Sequence, residues 1–401
     1  MLEFDRAQAL LAEAGMPPAE SESCGLGQAQ GRVLAKDVTA TLDMPPADNS
    51  SMDGYAIRAE DYRDGVVMPV QQRCYAGDMP AALEGGSATR LFTGSLLPRG
   101  ADTVILQEDS VESDEGVRFL EAPVRGQFVR PRAEDVAAGS VLLSAGTMLG
   151  AAELALVAAQ GMTDIPVWPR LRIGVLTTGD EIVSPGQPIQ PQQIYNSNGP
   201  MLAALIDGIG ATTSAVMHAT DDTESLRAAL STLAQCSDLV LSAGGASVGD
   251  RDLVKPVLES LGGELALWKV RMKPGKPVAL GSVQGTPVVC LPGNPVSVFA
   301  VFTVLVSPMI RRMQGRHVIY PQVSGAVLRS DRIHGDSREE FLRVQASHSP
   351  RGMLQVMPYH NQTSGIMSAL PWATGLARIP AGSKRREGDV VSYYDFRAWL
   401  R

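Results

Sequence analysis

Three apolar, strand-like runs in this chain end in loops built from Gly, Ser, Asp, Lys and Asn. They read Asp238-Leu-Val-Leu-Ser-Ala-Gly-Gly-Ala-Ser-Val-Gly-Asp-Arg-Asp252, Trp268-Lys-Val-Arg-Met-Lys-Pro-Gly-Lys-Pro277 and Leu291-Pro-Gly-Asn-Pro-Val-Ser297. Two of them run directly into an apolar helical pattern. Open α/β sheets hold their ligands at the carboxyl ends of parallel strands, and small residues there let bare amides approach an oxyanion closely. The chemistry this suggests is the binding of a phosphate-bearing ligand.

Two further loops belong on the same rim. Thr177-Thr-Gly-Asp-Glu181 and Asp221-Asp222 each follow an apolar strand-like run. The rim then offers Thr178, Gly179, Ser242, Gly244, Gly245, Ser247, Gly293 and Asn294 as hydroxyl, amide and backbone donors, and Lys273 and Lys276 as positive charge. It also carries Glu181, Asp221, Asp250 and Asp252, which would repel phosphate if left bare. Carboxylates beside phosphates point to Mg²⁺, a hard cation that takes one or two carboxylates together with ligand oxygens. Any one of these loops alone would read as a turn; five on one edge read as a site.

Other residues are ambiguous. Lys269 and Arg271 would share one face of a strand spanning Trp268 to Met272, with Val270 and Met272 on the other. A solvated edge strand explains that pattern as well as a binding role does. In the N-terminal half, Asp48-Asn-Ser-Ser-Met-Asp-Gly-Tyr55, Phe92-Thr-Gly-Ser95 and Arg130-Pro-Arg-Ala-Glu-Asp135 concentrate polar groups beside apolar runs. Each one singly matches a surface turn. His218 is one of only five histidines and reads as strand-end packing, and no Ser-His-Asp or Cys-His arrangement is evident.

The elements that must position these groups follow from periodicity. Leu171 to Gln314 alternates strand and helix, as in a doubly wound parallel sheet: strands at 173–176, 215–218, 239–241 and 288–291, with helices at 201–209, 223–233, 253–261 and 296–313. Residues 44–138 carry short alternating runs of a β-rich lobe. Phe4 to Ala14 and Leu149 to Gln160 are helical, and from Tyr320 the period returns to two. The expected fold is a multidomain α/β chain. Its segments are 1–43 with 139–168 (containing the helices), 44–138 (β-rich), 169–318 (α/β) and 319–401 (small all-β).

Composition sets bounds. A chain of 401 residues is long for one core. Its 44% apolar and 19% charged residues describe an ordinary globular protein. A net charge of −8 argues against broad nucleic-acid binding, which needs a basic field. Cys24, Cys74, Cys236 and Cys290 form no CxxC pair and read as buried thiols in a reducing compartment. No signal-like N-terminus is seen, and no apolar run approaches the ~20 residues of a membrane span. The expected location is the cytoplasm.

With these residues in view, the chain resembles the molybdopterin molybdenumtransferase family, known as MoeA in bacteria and as the C-terminal domain of gephyrin. The resemblance runs nearly end to end. It rests on the motifs at 48–56, 93–102, 132–135, 177–181, 242–250, 272–277 and 291–297, in the family's order. It implies an elongated homodimer that performs the last step of molybdenum cofactor synthesis. Molybdenum passes from molybdate to the dithiolene of adenylylated molybdopterin, with Mg²⁺ required and AMP released. A molybdopterin adenylyltransferase would supply the substrate, and each active site would join the rim of one subunit to the N-terminal lobe of the other. Carried over by position, Asp53, Asp135, Glu181, Asp221 and Asp252 match the family's functional carboxylates, with Asp222 the alternative to Asp221. Glu181, Asp221 and Asp252 would hold the metal. Thr93, Lys269, Lys273, Pro292, Pro295 and Ser364 match its other functional positions. Ala47, Ala133 and Arg251 depart from the pattern, Ala133 standing where the family commonly has Gly. Two alternatives are the adenylyltransferase itself, whose sister fold would need no N-terminal lobe, and a non-catalytic scaffold.

Overall fold

The computed structural model describes residues 1–244, 253–263 and 266–401. By contact density the chain divides into two units: Met1–Lys36 with Ala145–Gly150 and Asp164–Arg401, and Asp37–Ser144 with Ala151–Thr163.

The first unit is built on a six-stranded sheet: β1 (Arg172–Thr178), β2 (Thr212–Ala219), β3 (Leu239–Ala243), β4 (Ala266–Lys269), β5 (Pro277–Val283) and β6 (Thr286–Leu291). Their spatial order is β2-β1-β3-β6-β5-β4. The first four are mutually parallel, as expected, while β5 and β4 add an antiparallel edge. The doubly wound sheet is thus mostly parallel: the turn at Gln284-Gly285 is too short for a crossover helix, so β5 returns directly into β6 as a hairpin. β1 sends the chain outward to β2 and receives β3 on its other side, so the winding direction reverses beside β1.

Helices cover the sheet for the reasons their spacing suggests. The helix α1 (Asn198–Gly208) buries Leu202, Leu205 and Ile206. The helix α2 (Thr223–Cys236) buries Leu226, Ala229, Leu230 and Leu233 on one stripe, and Asp222 caps it by accepting the Ser225 N–H at 2.8 Å. The run expected as one helix over 296–313 is α3 (Pro295–Val301), a π turn over Phe302–Val306 and α4 (Ser307–Met313). At 19 residues this assembly is longer than the apolar run suggested and passes the length test for a membrane span. It is, however, enclosed by protein, with Val298, Phe302, Leu305, Met309 and Ile310 all in the main core. The N-terminal helix, Phe4–Ala14, packs Phe4, Ala7 and Leu11 into that same core.

A second six-stranded sheet follows in the same unit. It contains Ser324–Leu328, Glu339–His348, Leu354–Pro358, Gly375–Ile379 and Val390–Asp395, with one-turn helices at Ala369–Trp372 and Phe396–Trp399. Its remaining strand is Met272–Lys273, paired in parallel with Glu339–Glu340. The single strand expected from Trp268 to Met272 is therefore broken. β4 ends at Lys269, and Arg271 turns the chain toward the second sheet, donating through Nε to the Ser337 carbonyl at 2.7 Å and pairing with Glu3 at 3.0 Å.

The other unit is β-rich. Val70–Cys74, Ala88–Leu91, Gly54–Ile57 and Thr103–Leu106 form a four-stranded sheet in that spatial order, beside a three-stranded one centred on Gly116–Phe119. Tyr55, Ile57, Ile105, Val117 and Phe119 make its core. Its one regular helix among the described residues is Ala151–Ala159. Cys24, Cys74 and Cys290 are buried free thiols, and Cys236 is a half-buried one.

Candidate functional site

Three loops at the carboxyl ends of β1, β3 and β6 converge where the winding reverses. Gly244 has φ +106°, and a Cβ there would lie 2.6 Å from the Thr178 hydroxyl; one on Gly293 would lie 3.9 Å from the Gly244 Cα. Only glycine permits this approach at Gly244. The convergence floors a cavity of about 710 Å³ that Thr178, Gly179, Glu181, Asp221, Gly244 and the segment Pro292-Gly-Asn-Pro295 all line. Asn294 caps α3 by accepting the Val296 N–H at 3.1 Å, which leaves that helix's first turn at the rim.

The two carboxylates are positioned differently. Glu181 folds back over Gly179, whose absent Cβ would stand 2.5 Å from a Glu181 carboxylate oxygen at φ +139°. The Asp221 N–H donates to Asp180 at 3.0 Å, which leaves the Asp221 side chain on the cavity. Asp222 is committed to capping α2 and to the Thr220 hydroxyl, and these hydrogen bonds hold its carboxyl below the usual range. Of the neighbouring pair, Asp221 is the one turned to the cavity. Hard oxygen donors of this kind are able to hold a divalent cation. Among the described residues no three Asp, Glu, His or Cys groups cluster as a ready-made metal site. Asp250 and Asp252, with Gly245 and Ser247, lie outside the described residues.

Other expected rim residues sit elsewhere. Ser242 is fully buried in β3, flanked in register by Leu176 and Cys290, so it belongs to the sheet and not to the cavity wall. Lys273 bridges Glu340 at 3.0 Å and Asp336 at 3.2 Å. Burial pushes its pKa down, but the two carboxylates outweigh that and the net displacement is upward. Arg338 and then Lys273 hold Asp336 well below the usual carboxylate range, against the effect of burial. Lys269 and Lys276 are exposed and do not line this cavity. Ser364 is half-exposed in a turn of the C-terminal sheet domain. Buried Arg343 organises that turn, donating to the Asn361 and Thr363 carbonyls at 3.2 and 3.0 Å.

Asn196 and Asn198 were not singled out from sequence, yet both line the cavity. Asn196 donates to the Thr177 hydroxyl at 2.9 Å and accepts the Gly199 N–H at 2.9 Å, and Asn198 donates to the Gly293 carbonyl at 2.8 Å. These bonds tie the start of α1 to the β1 and β6 loops. The available signal was Asn196-Ser-Asn-Gly-Pro200, a helix-start cluster just ahead of an apolar run.

In the β-rich unit the three scattered N-terminal motifs lock together. The Ser50 N–H donates to the Ser95 carbonyl at 2.9 Å, the Gly94 N–H to Ser50 at 2.8 Å and the Leu97 N–H to Asp48 at 2.9 Å. Asn49-Ser50 pairs with Val129-Arg130, and the Arg132 N–H donates to the Asp48 carboxylate at 2.8 Å. Asp53 accepts both the N–H and the hydroxyl of Thr93 at 2.8 Å, and those bonds hold its carboxyl below the usual range. Asp135 lines a separate cavity of about 650 Å³ with Pro45, Pro46, Arg130 and Glu134. Ala133 keeps the left-handed backbone that glycine would favour, at φ +61°.

Family models match almost the whole length: "MoeA N-terminal region (domain I and II)" over residues 2–161, "Probable molybdopterin binding domain" over 174–312 and "MoeA C-terminal region (domain IV)" over 326–396. The chain is 37% identical over 376 residues to a molybdopterin molybdenumtransferase of Nostoc sp., covering 90% of this chain and 86% of the relative. It is 38% identical over 367 residues to molybdopterin molybdenumtransferase 2 of Mycobacterium tuberculosis, covering 88% and 90%. A crystal structure of a molybdopterin biosynthesis MoeA protein from Pyrococcus horikoshii superposes with a TM-score of 0.83 at 31% identity over 100% of both chains. On this fold, these motifs and this similarity, the chain belongs to the MoeA family of molybdopterin molybdenumtransferases.

Proposed function

We infer that this chain is the transferase that places molybdenum, taken from molybdate, on molybdopterin in molybdenum cofactor synthesis. The finer reading is that it acts on adenylylated molybdopterin and releases AMP, with Mg²⁺ as the resident metal. The observation that carries it is the pairing of Glu181 and Asp221 on one cavity with the Thr178, Gly244 and Pro292–Pro295 loops. An all-oxygen set with two carboxylates fits Mg²⁺, which completes its shell with ligand oxygens and waters.

When bound, Mg²⁺ would neutralise charge on the phosphoanhydride and the molybdate. The protein's own residues do the positioning. Gly179, Gly244 and Gly293 admit the phosphates to backbone N–H groups, and the Thr178 hydroxyl stands beside them. Glu181 and Asp221 would hold the metal, with Asp252 the expected third carboxylate. Asp53, kept ionised by Thr93, supplies a fixed carboxylate from the N-terminal lobe, and Asp135 supplies a second. In this reading the enzyme is a homodimer, and the lobe of one protomer completes the rim of its partner. An adenylyltransferase is the expected donor of the substrate.

The test is AMP release from molybdopterin-AMP, followed by mass spectrometry with and without molybdate and Mg²⁺. Release that depends on both supports the reading. Formation of molybdopterin-AMP from molybdopterin and ATP would favour an adenylyltransferase, and no turnover under any condition a scaffold.

A further inference from the structure

A line of stacked groups leads out of the β-rich core to solvent beside Asp53. Its inner end is Tyr55, buried at 3% exposure, whose hydroxyl donates to Glu112 at 2.7 Å. The Arg90 guanidinium lies 5.1 Å from the Tyr55 ring centroid and 4.7 Å from that of Phe92. Donation to the Gly54 carbonyl at 2.9 Å and to Gln107 fixes Arg90 there. Beyond it, Phe92 and Tyr75 stack with centroids 4.5 Å apart and planes within 7° of parallel. Tyr75 ends the line with 56% of its surface exposed.

The outer end is held in place. The Tyr75 N–H donates to Asp78 at 2.8 Å, and the Ser95 hydroxyl donates to the Cys74 carbonyl at 2.9 Å. Ala76 packs on Gly94, where an added Cβ would lie 3.8 Å from the Ala76 side chain. The turn carrying Tyr75 is therefore mounted on the same Phe92–Ser95 turn whose Thr93 holds Asp53. Met79, just after the Tyr75 turn, and Met52, next to Asp53 in the chain, are 84% and 43% exposed. A rigid aromatic face left half in water next to a fixed carboxylate is what a planar heterocycle would cover.

We propose that Tyr75 is the open end of a stacking platform that takes the planar heterocycle of the substrate, adenine or pterin, beside Asp53. The proposal rests on the reading of Asp53 and Thr93 as part of the active site. Adenine and pterin share the flat π face that such a platform recognises, so the ring is identified by experiment. Stacking that is equal in ground and transition states changes KM and leaves kcat alone.

The experiment is steady-state AMP release by the full-length enzyme with Tyr75→Ala, Tyr75→Phe and Asp53→Ala variants. Tyr75→Ala is expected to raise KM about tenfold with kcat within about twofold of wild type, while Tyr75→Phe stays near wild type. AMP and a free pterin are then used as competitive inhibitors, and the one whose inhibition weakens about tenfold in Tyr75→Ala names the ring. An unchanged KM, or a change accompanied by an altered oligomeric mass or Tm, overturns the platform. If Asp53→Ala loses turnover while Tyr75→Ala binds normally, the platform fails and the proposed function stands. If Asp53→Ala is active, the N-terminal half of the site itself is misassigned.

Discussion

Thr93 donates its backbone N–H and its hydroxyl to one and the same carboxylate oxygen of Asp53, each at 2.8 Å. These bonds lower the Asp53 pKa, the backbone donor contributing most and the hydroxyl next. A lowered pKa keeps the carboxylate ionised further into acid, so the activity it supports is present above that pKa and lost as pH falls through it. Thr93→Ala removes the hydroxyl and retains the N–H. The acid limb of the kcat/KM profile is then expected to move toward higher pH, with activity near pH 7 falling far less than in Asp53→Ala. An acid limb in the same place as wild type would show that Asp53 does not govern it.

Gly179 gives a sharper test of the cavity. A methyl group there meets the Glu181 carboxylate at 2.5 Å and takes up a φ that L-residues avoid. Gly179→Ala is expected to push Glu181 off the rim, lowering kcat by one to two orders of magnitude (an order-of-magnitude expectation for a misplaced group). Loss of function without loss of cooperative unfolding by urea is the expected pattern. Wild-type turnover would mean that the Glu181 position is immaterial.

Asp221 and Asp222 separate by what each carboxylate does. Asp222→Ala removes the cap of α2, so its effect belongs in the denaturation midpoint, with turnover near wild type. Asp221→Ala leaves the cap intact and removes a carboxylate from the cavity. It is expected to cost turnover and to raise the Mg²⁺ concentration needed for half-maximal rate at least tenfold, with Tm unchanged. The reverse assignment of the two effects would make Asp222 the functional residue.

The course of these elements explains what could be read from sequence. The alternation of strand and helix through residues 171–314 announced the doubly wound sheet, because each β strand had to be apolar on both faces and each helix on one. The β5–β6 hairpin and the break after Lys269 depend on which edge a strand joins, and residue spacing does not encode that. Likewise, the loops carrying Thr178, Gly244 and Gly293 follow strands and so had to meet on one edge. Lys273 stands among rim-like neighbours in sequence, yet it pairs in register with Glu340 in the second sheet, and both its ion partners, Asp336 and Glu340, lie more than sixty residues downstream. Long-range ion pairs of this kind leave no local pattern. Asn196 and Asn198 carried a helix-start signal that masked their place on the cavity.

Ala133 offers a stability prediction independent of catalysis. It holds φ +61° in the turn whose N–H donates to the Pro45 carbonyl at 3.0 Å. The left-handed region costs an alanine about 1 kcal/mol, which glycine does not bear. Ala133→Gly is therefore expected to stabilise the protein by up to about 1 kcal/mol, partly offset by the greater freedom glycine gains when unfolded. The urea midpoint should rise with no change in its slope. A fall in the midpoint would indicate that the turn relaxes to another conformation in solution.

Division of the carboxylates between the β-rich unit and the α/β unit leads to the last prediction. Asp53→Ala disables the lobe and Glu181→Ala the rim, and in the proposed homodimer each active site draws on both protomers. Mixed dimers carrying one variant per protomer then contain one site with both defects and one with neither. Activity should recover toward half that of wild type in verified heterodimers, although each parent is inactive. If each site were completed within a single chain, every site in the heterodimer would carry one defect, and recovery would be absent. Differentially tagged protomers, purified by two affinity steps and assayed for AMP release, distinguish the two arrangements directly.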